Sequence, residues 1–190
     1  YFDDLYRLQG TVKYDFKAHE FLAENANVDF SVELVDTGLN TLTGGRIARL
    51  RKKLQQRFFL TYGDGLANVN IHELLECHKK SNKLVTVTAV RPHPRFGELE
   101  IVNEEVRSFA EKPQATNGWI NGGFMVIEPE ALDFLTTDTD VLEKQLLERV
   151  ADENQLNAYF HSDFWQCMDS IRDKTILDNI ITESGKIWLK

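Results

Sequence analysis

Residues 57–90 read RFFLTYGDGLANVNIHELLECHKKSNKLVTVTAV, and this stretch decides the fold. Residues 58–62 form the short aromatic run of a central strand. Asn70 is placed to cap a helix, with Glu73 three residues on, and Ile71, Leu74, Leu75 and His78 recur at helical spacing until Ser81-Asn82. Residues 84–90 are rich in β-branched side chains and read as a strand. Together these make a β-α-β unit whose two strands are expected to be parallel.

Working outward, residues 12–16 and 28–35 alternate in the manner of half-buried strands. The chain changes character at Pro92 and Pro94. Two strand patterns within 96–109 flank the turn-like Asn103-Glu-Glu105 and predict a hairpin, an insertion near 96–113. Residues 120–127 read as a buried strand interrupted by Gly122-Gly123, where the missing side chains let either a ligand or a neighbouring backbone approach. Helices are expected at 129–135 and 141–150, a strand at 156–161, and a helical pattern over 169–181. The expectation is an α/β fold: one mixed, mostly parallel sheet flanked by helices, with residues 1–190 forming a single domain.

The 22 Lys and Arg against 30 Asp and Glu give a net charge of −8, and 42% of the residues are apolar. That balance lacks the basic stripe of a non-specific nucleic-acid binder. The longest uncharged stretch, 113–127, is too short and too polar to span a bilayer, so no membrane helix is expected. The chain opens on Tyr1-Phe-Asp-Asp-Leu5 in mid-pattern, as at the end of a helix, without the features of a secretory signal. Cys77 and Cys167 form neither a metal motif nor a disulfide framework, which suits a reduced, cytoplasmic protein. His72 and His78 share no helix face and suggest no zinc site.

Four motifs carry chemistry. Tyr62-Gly-Asp-Gly65 ends a predicted parallel strand, where ligands bind in open α/β sheets. Asp64 there either faces phosphate through a cation or serves a strand-to-helix turn. In Thr41-Leu-Thr-Gly-Gly-Arg46, amides at a helix start, two glycines and a guanidinium would make an anion site. The later Arg49, Arg51, Lys52, Lys53 and Arg57 read as a solvated face. Phe109-Ala-Glu-Lys-Pro113 places Glu111, an acceptor for sugar hydroxyls, beside Lys112, a partner for phosphate, unless the pair is only a surface turn. Asn121-Gly-Gly-Phe124 follows. Finally, Phe164-Trp-Gln-Cys-Met-Asp169 offers Trp165 as a sugar-stacking ring or as core, and Asp169 as a functional carboxylate or an ordinary helix cap.

In this order the segments resemble the sugar-nucleotide pyrophosphorylases, and within them the glucose-1-phosphate cytidylyltransferase branch. The matching stretches are Val35-Asp-Thr-Gly38, Thr43-Gly-Gly-Arg46, Phe59-Leu-Thr-Tyr-Gly-Asp-Gly65, Arg95-Phe-Gly97, Val106-Arg-Ser-Phe-Ala-Glu-Lys-Pro113, Ile120-Asn-Gly-Gly-Phe124 and Phe164-Trp-Gln-Cys-Met-Asp169. The resemblance implies a Rossmann-like sheet of the nucleotide-diphospho-sugar transferase type and the reaction of CTP with glucose 1-phosphate to give CDP-glucose and pyrophosphate. It implies Mg²⁺ on Asp64 and Asp169, with Lys112 on the sugar phosphate as a third catalytic group. Glu111 and Asn121 would meet the glucose hydroxyls, with Gly122 and Trp165 alongside, Gly63 the nucleotide region, and Thr41 and Arg46 the nucleotide side. A cytoplasmic homo-oligomer is implied as well, with no nucleic-acid or membrane partner.

The family begins with a Gly-Gly-x-Gly-Thr-Arg loop and a following Lys that hold the triphosphate, and this sequence contains neither. The resemblance therefore implies an N-terminally truncated domain lacking its first β-α units, inactive by itself. The alternative expectation is a non-catalytic sugar-phosphate-binding or assembly fragment.

Overall fold

A computed structural model of the chain describes residues 11–15, 20–24, 33–92, 98–110 and 118–189. The chain divides into two compact units, residues 1–39 and 40–190. In the first, β1 (Thr11–Asp15) and β2 (Glu20–Glu24) pair antiparallel, Thr11 opposite Glu24. The strand expected at 12–16 is thus present within a residue. Of the one expected at 28–35, residues 28–32 lie outside the described residues, and 33–35 are not in a strand.

The second unit is built on four strands: β3 (Phe58–Thr61), β5 (Val85–Val90), β8 (Ile120–Ile127) and β9 (Leu156–Phe160), in the order β3-β8-β5-β9. β5 and β9 pair parallel, while β8 runs antiparallel to both β3 and β5. Three of the four strands therefore point the same way, which makes the sheet mixed and mostly parallel in direction. β3 and β5 are parallel as expected, but they are not neighbours, because β8 lies between them. Helix α2 (Ile71–Ser81) connects β3 to β5 over one face of the sheet.

Each end of α2 is fixed by sequence chemistry. Asn70 Oδ1 accepts from the N–H groups of His72 and Glu73, both at 3.1 Å, while Asn70 Nδ2 donates to Glu73 Oε1 at 3.0 Å. At the other end Asn82 takes the left-handed conformation, φ 51°, that stops the helix. A hairpin formed by β6 (Glu98–Val102) and β7 (Glu105–Ala110) turns at Asn103 and Glu104, whose φ values of 52° and 68° match the twist of a two-residue hairpin turn. The expected hairpin is there.

One face of the sheet carries the main core. Val85 of β5 and Met125 and Ile127 of β8 are covered by Ala131, Leu132 and Leu135, and by Leu142, Leu146, Leu147 and Val150. The covering segments are a 3₁₀ helix (Pro129–Phe134) and a π-type helix (Leu142–Glu148) that continues as α3 (Arg149–Asp152). Both helical expectations hold in position, although neither segment is a plain α-helix. The short helix α1 (Thr43–Arg49) adds Ile47 to this core.

On the opposite face, buried Leu74 and His78 of α2 meet the sheet. His78 Nδ1 lies 2.8 Å from Thr86 Oγ1 and Nε2 lies 3.1 Å from Glu128 Oε1, while Arg57 Nε donates to the same Glu128 oxygen at 2.6 Å. Three arginines expected to be a solvated face are therefore tethers. Arg57 binds Glu128, Arg49 forks onto Asp138 at 2.8 and 2.6 Å, and Arg51 donates to Asp133 and to the Leu135 carbonyl.

Burial pushes the His78 imidazole below its ordinary range, against the pull of Glu128 towards the charged form. Between the lowered native value and the ordinary one near 6.5, the unfolded chain holds the proton and the native chain does not. Stability from this group is complete above about pH 6.5 and declines as the pH falls towards the native value. Urea midpoints at pH 7.5 and 5.5 check this: His78→Gln should narrow the gap between them. Equal gaps in the two proteins would show that another group causes the acid loss.

Candidate active site

Strands β3, β5 and β8 bring cleft residues to one edge of the sheet. β3 ends beside Phe124 of β8, β8 begins opposite Val90 at the end of β5, and β5 ends beside Phe160 at the end of β9. The carboxyl ends of three parallel strands and the start of the reversed one therefore share an edge, the place where open α/β sheets bind ligands. A second, smaller ribbon extends from it. β4 (Gly65–Ala67) and β10 (Trp165–Cys167) pair antiparallel, Gly65 opposite Cys167, and the Met168 N–H donates to the Asp64 carbonyl at 2.9 Å. Asp64 and Asp169 consequently leave the same end of the ribbon on adjoining backbones.

Both aspartates line a cleft of about 610 Å³, together with Asn121, Gly122 and Trp165. Five residues singled out from the sequence thus come together, although they lie on three separate segments. The expected helix cap at Asp169 is corrected. Ser170 caps α4 (Ile171–Ser184) and forms a reciprocal capping box, its hydroxyl accepting from Asp173 N at 3.2 Å while Asp173 Oδ2 accepts from Ser170 N at 3.0 Å. The short ribbon strands escape sequence reading, because three residues show no period.

The cleft wall is held by a polar network that the sequence did not disclose. Tyr62 donates its hydroxyl to Glu143 Oε1 at 2.5 Å and accepts from Asn121 Nδ2 at 3.2 Å. Asn121 Oδ1 accepts from Gly123 N at 3.0 Å, and Tyr62 N donates to the Gly123 carbonyl at 3.2 Å. These bonds fix the orientation of the Asn121 amide while leaving one N–H and one acceptor lone pair for a ligand. Burial, and then the bond to Glu143, push the Tyr62 phenol above its ordinary range, so it remains a neutral donor. Glu143 sits on the π-type helix, a form frequent at functional sites, and no spacing in the sequence marks it.

The glycine pair in β8 has a definite purpose. The β5–β8 register slips between Val87 and Ala89, so β8 bulges at Gly122-Gly123. A Cβ on Gly122 would stand 2.7 Å from Val90 Cγ1, and one on Gly123, at φ +81°, would stand 2.6 Å from the Tyr62 ring. The expected approach of a neighbouring backbone is present at Gly122, where the Thr88 carbonyl would stand 3.1 Å away, but what crowds both positions most closely is a side chain, Val90 and Tyr62. The Gly122 carbonyl accepts from Trp165 Nε1 at 2.8 Å, which sets the indole against the cleft. Trp165 is half-buried, with its ring edge anchored.

The anion cradle expected at Thr43-Gly-Gly-Arg46 is not available. The Gly44 and Gly45 N–H groups donate to the Asp140 carbonyl at 2.9 and 3.1 Å, and the Leu42 N–H donates to the Asp138 carbonyl at 2.9 Å. These glycines exist to let the 138–140 backbone dock against the helix start. Thr41 is buried, and neither it nor Arg46 is among the residues lining the cleft. Gly63 adjoins the cleft residues Tyr62 and Asp64, and a Cβ there would meet nothing within 4 Å. The sites expected at Glu111 and Lys112 lie outside the described residues. Among the described residues no three His, Cys, Asp or Glu side chains gather as a metal cage, and none crosses a membrane as a long apolar helix.

Residues 11–171 match the nucleotidyl transferase family. Over 161 residues the chain is 40% identical to a glucose-1-phosphate cytidylyltransferase of Salmonella typhi, covering 84% of this chain and 63% of that protein. It is 32% identical, with the same coverage, to a probable glucose-1-phosphate cytidylyltransferase of Bacillus subtilis. The chain thus spans 63% of the length of these relatives. Among solved structures, a putative glucose-1-phosphate thymidylyltransferase from Bacillus anthracis in complex with a sucrose superposes with a TM-score of 0.58 at 12% identity, covering 80% of this chain and 64% of that one, a likeness of fold.

Proposed function

As this chain belongs to the nucleotidyl transferase family, we propose that it serves cytidylyl transfer from CTP to glucose 1-phosphate, giving CDP-glucose and pyrophosphate. The observation that supports this reading is the delivery of Asp64 and Asp169 to one end of the β4–β10 ribbon, facing a wall of Asn121, Gly122 and Trp165. The choice of base and sugar rests on the relatives at 40% and 32% identity.

In such a transfer a sugar-phosphate oxygen forms a bond to the α-phosphorus of the nucleotide, and the bond from that phosphorus to the bridging oxygen of pyrophosphate breaks in line. No covalent enzyme intermediate is required, so the protein acts by positioning and by neutralising charge. Asn121, held by Tyr62 and Gly123, has a donor and an acceptor for a glucose hydroxyl. Trp165 offers its ring to the apolar face of the sugar. Gly63 leaves room for the nucleotide to approach the backbone.

Asp64 and Asp169 supply hard oxygen donors of the number Mg²⁺ takes when phosphate oxygens and water complete its shell. Bound there, the cation would supply charge neutralisation at the transferring phosphoryl group. Lys112 and Glu111 stay assigned to the sugar phosphate and a hydroxyl by resemblance. A homo-oligomer in the cytoplasm belongs to the same reading.

Because the match covers 63% of the relatives' length, the test uses the full natural chain. Pyrophosphate release with glucose 1-phosphate and Mg²⁺ should be at least about tenfold faster with CTP than with UTP, dTTP or GTP in the full chain. Equal rates with all four nucleotides would overturn the cytidylyl assignment. Calorimetric binding of glucose 1-phosphate with no turnover would replace it with the non-catalytic binding reading.

A further inference from the structure

We propose that Arg172 is a phosphoryl-binding residue of the cleft, one that neither the sequence motifs nor the resemblance assigns; the inference rests on the functional reading above. Arg172 is the second residue of α4, three positions beyond Asp169, and it lines the same cleft as Asp64. Among the described residues lining that cleft it is the only cationic one, set among Asp64, Asp169 and Asp173.

A guanidinium that shares a cleft with carboxylates forks onto one where the two come within reach, since the paired geometry satisfies both groups. Arg172 does not: it makes no hydrogen bond or ion pair with any described residue. The nearest carboxylate in sequence, Asp173, is engaged by the Ser170 amide and hydroxyl at 3.0 and 2.7 Å and by Gln166 Nε2 at 3.4 Å. Asp173 is thus committed to the helix cap, and as the next residue on the helix it does not face Arg172. Among the described residues the guanidinium is left exposed on the cleft wall with no partner for its donors.

The chemistry that fits a free planar fork in a cleft is a phosphoryl group, whose two oxygens match two parallel N–H donors. In a chain of net charge −8, such a cation also answers a local problem. Asp64 and Asp169 repel a phosphorylated ligand at long range, and Arg172 offsets part of that field on the same wall. The phosphoryl group could belong to the sugar phosphate or to the nucleotide, and the two sources are separable by experiment.

Steady-state constants for CTP and for glucose 1-phosphate in Arg172→Gln and Arg172→Lys of the full natural chain test the assignment. Arg172→Gln should raise KM for one of the two substrates by about tenfold to a hundredfold and leave the other within about twofold. Arg172→Lys, which keeps the charge and loses the fork, should fall between. The affected substrate identifies the source of the phosphoryl group. Unchanged KM for both substrates in Arg172→Gln overturns the proposal while the cytidylyltransferase reading stands. A wild-type protein that binds neither substrate by calorimetry overturns both. Because the side chain is exposed, the thermal midpoint should not move, and a large drop in it would show a structural role instead.

Discussion

Asp169→Asn is expected to lower turnover by on the order of 10³-fold, about 4 kcal/mol of transition-state stabilisation, with only a small change in thermal stability. The combination follows from which residue caps α4. Had Asp169 been the cap, its loss would have cost about 1 kcal/mol of stability with no bearing on chemistry. Ser170 and Asp173 do that work through their reciprocal hydrogen bonds, and the Asp169 carboxylate is delivered beside Asp64 by the pairing of Cys167 with Gly65. Ser170→Ala should therefore reduce the thermal midpoint more than Asp169→Asn does, and Asp169→Asn should reduce kcat far more than Ser170→Ala does. Asp64→Asn should lose as much activity as Asp169→Asn. If the two carboxylates act as one unit, the double variant should be little worse than either single one. Titration of the apo protein with Mn²⁺, followed by its electron spin resonance signal, gives an independent reading, since each single variant should weaken binding. Asp169→Asn with activity within tenfold of wild type, or with a stability loss larger than that of Ser170→Ala, would remove Asp169 from the catalytic group.

What the sequence discloses and what it hides differ in kind. Asn70, Glu73 and Asn82 state the limits of α2 directly, because capping and left-handed termination are local chemistry. The hairpin at Asn103 and Glu104 is legible for the same reason. Strand neighbours are not local: nothing in residues 57–90 tells that β8, thirty residues further on, fits between β3 and β5. The site divides in the same way. Asp64, Asn121, Trp165 and Asp169 stand in short motifs whose residue types suggest their chemistry, while Tyr62, just past β3, and Glu143, on a π-type helix 81 positions away, meet at 2.5 Å only in the folded chain. Arg172 is not legible in the sequence, because one arginine on a helix surface is ordinary until the fold sets it in the cleft with Asp64 and Asp169. The converse error arose at Thr43-Gly-Gly-Arg46, where amides and glycines that suit an anion suit a peptide carbonyl equally well.

That last point leads to a prediction whose sign is opposite to local propensity. Alanine is the better helix former by about 1 kcal/mol, so Gly45→Ala should stabilise α1 if the helix were free. In the folded chain it is expected to cost about 3 kcal/mol or more. A Cβ on Gly45 would stand 2.4 Å from the Asp138 carbonyl oxygen and 2.7 Å from the Asp138 carbonyl carbon and Cα, all of them backbone atoms. That backbone has little freedom to retreat. The Asp140 carboxylate accepts from the amides of Thr136 and Thr137 and from the Thr137 hydroxyl, at 2.6, 2.9 and 2.6 Å, while the Arg49 fork holds the Asp138 side chain. The strain must therefore be relieved by moving α1 off the 138–140 turn, which would strip cover from Ile47 and weaken the hydrogen bonds from Gly44 and Gly45 to Asp140. Gly63→Ala is the matched control. Nothing lies within 4 Å of a Cβ at that position, so its stability should stay within about 0.5 kcal/mol of wild type. Any loss of activity there would report a ligand pressing on the backbone rather than a disturbed fold. Urea unfolding of the two variants separates the cases: a Gly45→Ala midpoint equal to or above that of wild type would mean that the helix start does not dock on the 138–140 turn, and the anion cradle would return as the better account of its glycines.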